Sequence, residues 1–329
     1  MNTDQLLIVI SISAYIMSTL ALFTYFLSRE QLPKQIGIPF AFIGCGVQFF
    51  ELVYRYQTSH IWPLTNLYGS LSLFAAMSVA IFIGFSLKYD LWFIGGFVQA
   101  FAAGFLAYAL TWNEGYLPAV PALQSYWIKI HVPLVVSSYA AFMVAMVTSM
   151  LYLIKYYCEK SLERDANRPL NLRAAAAGGA PSASGLQMQS YAPPQATSQR
   201  MVGGDLPILG TAAAAGNPLA LWLSTLPSLA KLDIMTYRIV SVGLPLLTVG
   251  IITGAWWAKE AWGAYWQWDP KETAALVSWT VYAMYMHLHT RNSWRGVRSA
   301  WMSVLGFVTI IFCYLGVNIW VSGLHSYKM

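Results

Sequence analysis

Apolar residues in this chain are grouped into long runs, which are separated by shorter polar segments that carry most of the charges. A helix crosses the bilayer core with about 20 apolar residues, because each residue advances it by about 1.5 Å. The pattern therefore predicts eight transmembrane helices. They lie near Leu6–Leu27, Ile36–Tyr54, Leu67–Leu87, Leu91–Leu110, Val132–Tyr157, Tyr237–Ala258, Thr273–Thr290 and Ala300–Ser322.

The composition agrees with a membrane protein. Hydrophobic residues make up 57% of the 329 residues and charged residues only 10%, whereas soluble domains carry about 25% charged residues. We therefore predict an all-α polytopic membrane protein, and the composition excludes an ordinary soluble globule. The first run has neither a basic leader nor a small-residue cleavage site, so we expect it to be retained as a helix.

Basic residues are divided unevenly between the predicted loops. If the loops at 28–35, 88–90, 155–238 and 291–298 share one side, that side holds 14 of the 19 Lys and Arg residues. The positive-inside rule then places these loops in the cytoplasm and both termini outside. The net charge of +6 follows from this topology. Without a soluble basic face, it does not indicate a nucleic-acid partner.

The composition changes abruptly between the fifth and sixth predicted helices, where Ala, Gly, Pro, Ser and Gln dominate. Such a segment is typical of a disordered linker. We therefore divide the chain into a five-helix membrane region at 1–157, a cytoplasmic linker at 158–235 and a three-helix membrane region at 236–329. The apolar spacing of Leu219, Trp222, Leu223, Leu226 and Leu229 predicts either a short interfacial helix or a loosely packed loop.

The segment Trp262–Thr273, with the sequence WGAYWQWDPKET, combines aromatic, glycine and carboxylate residues between two apolar runs. An indole ring at a wet boundary needs an apolar contact and a partner for its N–H, so three Trp within seven residues suggest a binding surface for a large planar ligand. An interfacial aromatic belt is the alternative, because Trp and Tyr are enriched at membrane boundaries without any ligand.

The spacing of this segment resembles the WWD signature of membrane proteins that handle haem during cytochrome c maturation. The chain is similar to the CcsA/ResC family over most of predicted helices two to eight, although the Ala/Gly/Pro-rich insertion at 171–216 departs from the family. The resemblance implies that the segment binds haem b. The implied binding residues are Trp262, Gly263, Trp266, Trp268 and Asp269.

Three of the five histidines, His60, His131 and His325, lie on the predicted outer face with the tryptophan segment. Imidazole is a common axial ligand of haem iron, so two histidines beside an aromatic platform suit a bis-histidine haem site. Polar residues at an interface are the alternative. By resemblance, His131 and His325 match the two outward haem ligands of the CcsA/ResC family and are the principal catalytic candidates. For His60, lining and axial ligation stay open.

His287 and His289 lie at the inner end of the seventh predicted helix, where an ionisable residue is a functional candidate. Residues two positions apart differ by about 200° around the helix axis, so these imidazoles point to opposite sides. His289 shares a face with Trp279 and Tyr282, which could hold a second haem. The resemblance implies that His289 is one ligand of an intramembrane haem whose other ligand belongs to a partner protein. A histidine that reaches the inner interface is the alternative.

The carboxylates and cysteines complete the candidate chemistry. Asp269 follows the tryptophans at a helix start, where the helix dipole favours negative charge, so Asp269 is either structural or catalytic. Glu51 and Tyr54 are candidates for lining the outer site. Cys45, Cys158 and Cys313 are expected to be small packing residues. The chain has no Cys-x-x-Cys, so a c-type cytochrome and a thioredoxin-type reductant would be separate proteins.

The resemblance implies a subunit of a membrane cytochrome c synthetase, or haem lyase, that supports thioether attachment of haem to a Cys-x-x-Cys-His segment of an apocytochrome c. It also implies a ResB/CcsB-type membrane partner. We expect the chain in a bacterial plasma membrane, with the thylakoid membrane as the alternative. Two other functions stay open: a haem exporter or chaperone without ligation activity, and a transporter whose Trp residues form only a belt.

Overall fold

The computed structural model describes residues 3–60, 62–64, 66–112, 121–166 and 216–317. Within these ranges the chain forms nine α-helices and no β-strand. The helices are α1 (Thr3–Ser28), α2 (Gln31–Ser59), α3 (Leu67–Tyr89), α4 (Gly95–Leu110), α5 (Tyr126–Ala166), α6 (Pro218–Thr225), α7 (Leu229–Trp262), α8 (Pro270–His289) and α9 (Val297–Ile311). A 3₁₀ turn at Trp92–Ile94 precedes α4, and a π turn at Phe312–Gly316 continues α9.

Seven segments of the described chain are long and apolar enough to cross a membrane: α1, α2, α3, Trp92–Leu110, α5, α7 and Val297–Gly316. The remaining predicted span is α8, which has 20 residues. Its composition is less apolar because Lys271, Glu272, His287 and His289 lie within it. The prediction of an all-α polytopic membrane protein is confirmed.

The central element of the bundle is α5. It packs against α3, α7 and α9, while α1 contacts α2 and α4. Every residue from Ser138 to Leu153 is buried except Met150. A helix without an exposed stripe is a core helix. By contrast, α1 and α2 expose many large apolar side chains, such as Leu20 and Phe50.

The two ends of the bundle differ in their side chains. The hydrogen bond from Ser125 Oγ to Glu260 Oε2 (2.9 Å) joins the start of α5 to the end of α7. We call this the aromatic end, after Trp127, Trp257, Trp262 and Trp266. At the opposite end, an ion pair between Lys34 Nζ and Asp90 Oδ1 (2.7 Å) joins α2 to α3. We call it the basic end, after Arg29, Lys34, Lys88, Arg238, Arg291 and Arg295.

Helix boundaries at the linker differ from those expected. The helix α5 continues to Ala166 and α7 begins at Leu229, so both helices extend beyond their apolar spans. The reason is that hydropathy marks the membrane-crossing part of a helix and not its ends. Between them, α6 packs Trp222 against α1, with the indole Nε1–H donating to Phe26 O at 3.3 Å. The rest of the Ala/Gly/Pro-rich segment lies outside the described residues.

Candidate functional site

A cavity of about 210 Å³ lies at the aromatic end, between α5, α7, α8 and the continuation of α9. Its walls are mainly apolar and aromatic, and the start of α3 contributes Ser70. The aromatic and histidine side chains around it are His131, Tyr139, Trp257, Trp262, Tyr265, Trp266 and Tyr314. A concave, mainly apolar space with a few polar groups is the usual form of a small-molecule site.

The tryptophan segment is held at both ends by helix termini. Gly263 ends α7 with a left-handed φ of +82°, and its N–H donates to Lys259 O at 3.0 Å. Glycine adopts this conformation without a steric penalty. At the other end, Asp269 caps α8, and Glu272 Oε2 accepts hydrogen bonds from the N–H groups of Gln267 (2.8 Å) and Asp269 (3.2 Å). This capping box fixes the loop over the cavity.

The three predicted tryptophans take different positions. Trp262 and Trp266 line the cavity, and the Trp262 ring lies 4.7 Å from that of Trp257, centroid to centroid. Trp268 is 69% exposed and contacts the edge of Trp266, with ring centroids 5.8 Å apart. The cavity wall therefore includes two of the three, while the third faces away from the bundle. Trp268 has a positive φ of 57°, which is uncommon for a bulky residue.

His131 lies in the first turns of α5, and its imidazole lines the cavity. Its Nδ1 lies 2.7 Å from Gly250 O on α7, so a protonated Nδ1 donates to this carbonyl. The ring is nearly parallel to that of Trp257, with an interplanar angle of 18° and centroids 6.1 Å apart. The structure thus brings His131 together with Trp262 and Trp266.

Three other residues predicted for the outer site, His60, Glu51 and Tyr54, lie away from the cavity wall. His325 is outside the described residues. His60 caps α2 with a left-handed φ of 56°, is exposed and does not line the cavity. Glu51 is fully buried, with Oε2 accepting from Ser72 Oγ at 3.1 Å, and lies away from the cavity wall. Tyr54 is half-buried beside Phe50 and does not line the cavity either.

The carboxylate of Asp269 is 6% exposed and accepts a hydrogen bond from the N–H of Lys271 at 3.0 Å. Its position is that of a helix N-cap with Pro270 in the first turn. This geometry accounts for an acidic residue here without a catalytic role.

His289 lies at the basic end, far from the cavity along α8. Its Nε2 is 2.9 Å from Asp233 Oδ2, and its ring stacks on Tyr237 with centroids 4.6 Å apart. Asp233 Oδ1 also accepts from Gly296 N (3.2 Å) and Ser299 Oγ (2.9 Å). His289 is therefore part of a buried clasp that joins α7, α8 and the start of α9. A role as haem ligand stays a prediction, in which Nδ1 would bind the iron while Nε2 keeps its hydrogen bond to Asp233.

The sequence predictions assign no role at the site to several residues of the cavity wall. Trp257 is 4% exposed, and its ring is nearly parallel to that of His131. It lies five residues before Trp262, so its proximity to the tryptophan segment was a usable signal. Cys313 is buried as expected, but it lines the cavity, with Sγ 3.7 Å from Lys271 O. Its place depends on how α9 packs, which apolar spacing does not show.

Comparisons with known proteins agree on one family. A family model described as cytochrome C assembly protein matches residues 4–325. Proteins named cytochrome c biogenesis protein CcsA are similar over most of their length. One from Heterosigma akashiwo is 34% identical over 85% of this chain and 81% of its own. Those from Gloeobacter violaceus and Mesostigma viride are 37% and 36% identical, over 82% and 83% of this chain and 79% of each relative.

Proposed function

Because this chain belongs to the cytochrome c assembly family, and so takes part in cytochrome c biogenesis, we propose that it binds haem at the aromatic end and presents it to an apocytochrome c. The observation that carries this proposal is the position of His131, whose imidazole is fixed on the wall of an aromatic cavity. The residues present fit a haem in two respects: the hydrogen bond of His131 and the aromatic walls.

The hydrogen bond of His131 suits an axial ligand. Histidines that bind metals usually donate the second ring N–H to a carbonyl or a carboxylate, which fixes both the tautomer and the orientation of the ring. Here Gly250 O is that acceptor for Nδ1. The lone pair is then on Nε2, which is the nitrogen that remains for iron.

The aromatic walls suit the porphyrin. Trp257, Trp262 and Trp266 offer flat apolar surfaces beside His131, and contacts between flat π-systems favour offset or edge arrangements over perfect stacking. The cavity of about 210 Å³ is smaller than the roughly 300–1,000 Å³ of pockets that enclose a drug-sized ligand. The cavity would therefore hold only one part of a ligand as large as haem, and the rest of the haem would lie outside the cavity. The exposed part is the one that an apocytochrome would reach.

On the family resemblance, His325 would supply the second axial ligand. His289 would be one ligand of a separate inner haem, whose other ligand a ResB/CcsB-type membrane partner would supply. Thioredoxin-type proteins would keep the cysteines of the apocytochrome reduced, because this chain has no Cys-x-x-Cys of its own. The free cysteines of the described chain are Cys45 and Cys313, which are buried, and Cys158.

The proposed reaction is the addition of two apocytochrome thiols to the two vinyl groups of haem. At each vinyl group one carbon forms a bond with sulfur and the other receives the thiol proton, so the addition needs no oxidant or reductant. The contribution of this chain is to hold the haem in register with the thiols, which is a large source of rate acceleration in general. The Asp269 carboxylate caps α8 and has no proton-transfer role in this scheme.

A maturation assay with a reporter cytochrome c tests the function. The chain is expressed with its partner as wild type, as His131→Ala and as His60→Ala. We expect His131→Ala to stop covalent attachment, because the iron loses its ligand, and added imidazole to restore it in part. His60→Ala is the matched control, since this exposed histidine lies outside the cavity wall.

Normal maturation in His131→Ala would overturn the ligand assignment. Haem bound at His131 without any thioether product in a reconstituted system, with reduced apocytochrome and partner present, would favour a haem chaperone. Absence of haem from the purified wild-type complex would favour a transporter.

A further inference from the structure

The helices α5 and α7 pack in antiparallel directions along a seam formed by glycines of α7. At each of these glycines an added Cβ would collide with a side chain of α5. The facing pairs are Gly243 with Phe142, Gly250 with Val135 and Gly254 with His131, and the closest approaches of the added Cβ would be 2.8, 2.7 and 2.6 Å.

The three pairs share one register. Along α7 the glycines are separated by seven and then four residues, and along α5 their partners are separated by the same steps in the opposite direction. Positions seven and four apart lie on one face of a helix. The seam is therefore continuous, and His131 occupies its last position at the aromatic end in the way that Phe142 and Val135 occupy the earlier ones.

The contact at Gly254 involves the imidazole directly. A Cβ at this position would lie 2.6 Å from Cε1, 2.7 Å from Nδ1 and 3.4 Å from Nε2 of His131. The acceptor of the Nδ1 hydrogen bond, Gly250 O, lies one helical turn away on the same face. One glycine thus provides the space for the ring, and the other provides the carbonyl that orients it.

We propose that Gly254 is a positioning residue for the haem ligand His131, because only a glycine lets the imidazole lie against α7 with Nδ1 on Gly250 O. This inference rests on the proposed function. Any side chain at 254 would move the ring away from α7, break the hydrogen bond and turn Nε2 from its orientation. Gly254 itself does not touch the iron.

A double-mutant cycle in the haem-free protein tests the contact without any cofactor. The thermal unfolding midpoint is measured for wild type, Gly254→Ala, His131→Ala and the double variant. We expect Gly254→Ala to lower the midpoint in the wild-type background and to be neutral or stabilising when His131 is Ala, because Ala favours helix over Gly once the clash is absent. If Gly254→Ala alone does not fold, recovery in the double variant supports the proposal. An equal loss in both backgrounds, or a double variant that also fails to fold, would overturn it.

The second measurement follows the ligand in the complex with the partner. We expect Gly254→Ala to lose the six-coordinate low-spin haem spectrum or to shift the haem reduction potential, and added imidazole to restore the spectrum in part. Gly243→Ala is the matched control, since it introduces a similar clash on the same helix but against Phe142. Gly104→Ala controls for the substitution itself, because nothing lies within 4 Å of its added Cβ.

The haem content of the wild-type complex separates the proposed function from the positioning role of Gly254. Wild-type complex without haem would refute the proposed function, while the haem-free cycle still measures the contact. Wild-type complex with haem, together with a Gly254→Ala spectrum and potential equal to those of wild type, would refute the positioning role alone. A change of the same kind in Gly243→Ala would also refute it, because a general loss of packing would then explain both variants.

Discussion

Two histidines at opposite ends of the bundle are each fixed through one ring nitrogen, but their surroundings differ. His131 uses Nδ1 on a backbone carbonyl and presents its ring to a cavity. His289 uses Nε2 on the carboxylate of Asp233 and is 6% exposed, with Tyr237 and Tyr285 against its ring. The first arrangement leaves a nitrogen beside an open space. The second satisfies a buried polar pair, which is what a structural residue requires.

Adjacent tryptophans on α7 provide a matched test of the cavity wall. Trp257 is 4% exposed and lies beside His131, whereas Trp256 is 44% exposed and contacts Trp127 outside the cavity. Since aromatic contacts contribute about 0.5–1.5 kcal/mol beyond burial, we expect Trp257→Leu to weaken haem retention by roughly twofold to tenfold. Trp256→Leu should retain haem as wild type does. Haem per protein after gel filtration measures this, and equal retention in the two variants would argue against haem on this wall.

At the scale of elements, the loop between α7 and α8 owes its shape to the helix caps on either side of it. Asp269 and Glu272 form the capping box of α8, and Gly263 provides the left-handed end of α7. These signals are local. The sequence analysis predicts the helix start at Asp269, but it ends the sixth span at Ala258, four residues before the end of α7 at Trp262. Trp262, at the end of α7, and Trp266, within the loop, line the cavity.

The two roles considered for Asp269 are separated by conservative substitution. Asn caps a helix about as well as Asp, whereas Ala loses about 1 kcal/mol. We expect Asp269→Asn to mature cytochromes almost normally, and Asp269→Ala to lower both the unfolding midpoint and maturation. Thermal unfolding and the reporter assay measure the two effects. A stable Asp269→Asn protein without maturation activity would instead show that the carboxylate itself takes part in the reaction.

The clasp at the basic end predicts a shared effect of two substitutions. Asp233→Asn and His289→Ala each remove a partner from a buried hydrogen-bonded group, which costs about 1–3 kcal/mol. We expect both to lower the unfolding midpoint by similar amounts. His287→Ala is the control, because His287 is exposed two residues away and should change little.

Haem content separates the clasp from an additional ligand role. If His289 also binds an inner haem, His289→Ala should lose haem that Asp233→Asn retains. If neither variant changes stability, the clasp is not a stabilising feature of the fold.

At the scale of the whole molecule, the sequence predicts the set of helices well and their contacts poorly. Apolar runs and caps are properties of single segments, so α1 to α5 and α7 to α9 can be located from them. The tryptophan segment and His131 can also be recognised from the sequence, because each is a feature of a single segment. The seam of Gly243, Gly250 and Gly254 cannot be recognised from the sequence, because it depends on which helix faces α5 and in which register. Cys313 and Tyr314 enter the cavity only through the packing of α9.

The distribution of basic residues distinguishes the two ends of the whole molecule. The arginines after α8 and those near the starts of α2 and α7 lie at the basic end, and the candidate cavity lies at the other. The positive-inside rule then predicts that the aromatic end faces outward, where an apocytochrome with reduced thiols would meet it.

The absorption spectrum of the purified chain with its membrane partner, from haem-replete cells, tests the central claim most directly. Wild type should show the Soret band and low-spin visible bands of a six-coordinate haem. His131→Ala should lose haem or the low-spin bands, and added imidazole should restore them in part. A wild-type complex without a Soret band, or a His131→Ala complex with an unchanged spectrum and haem content, would contradict the assignment of the cavity as a haem site.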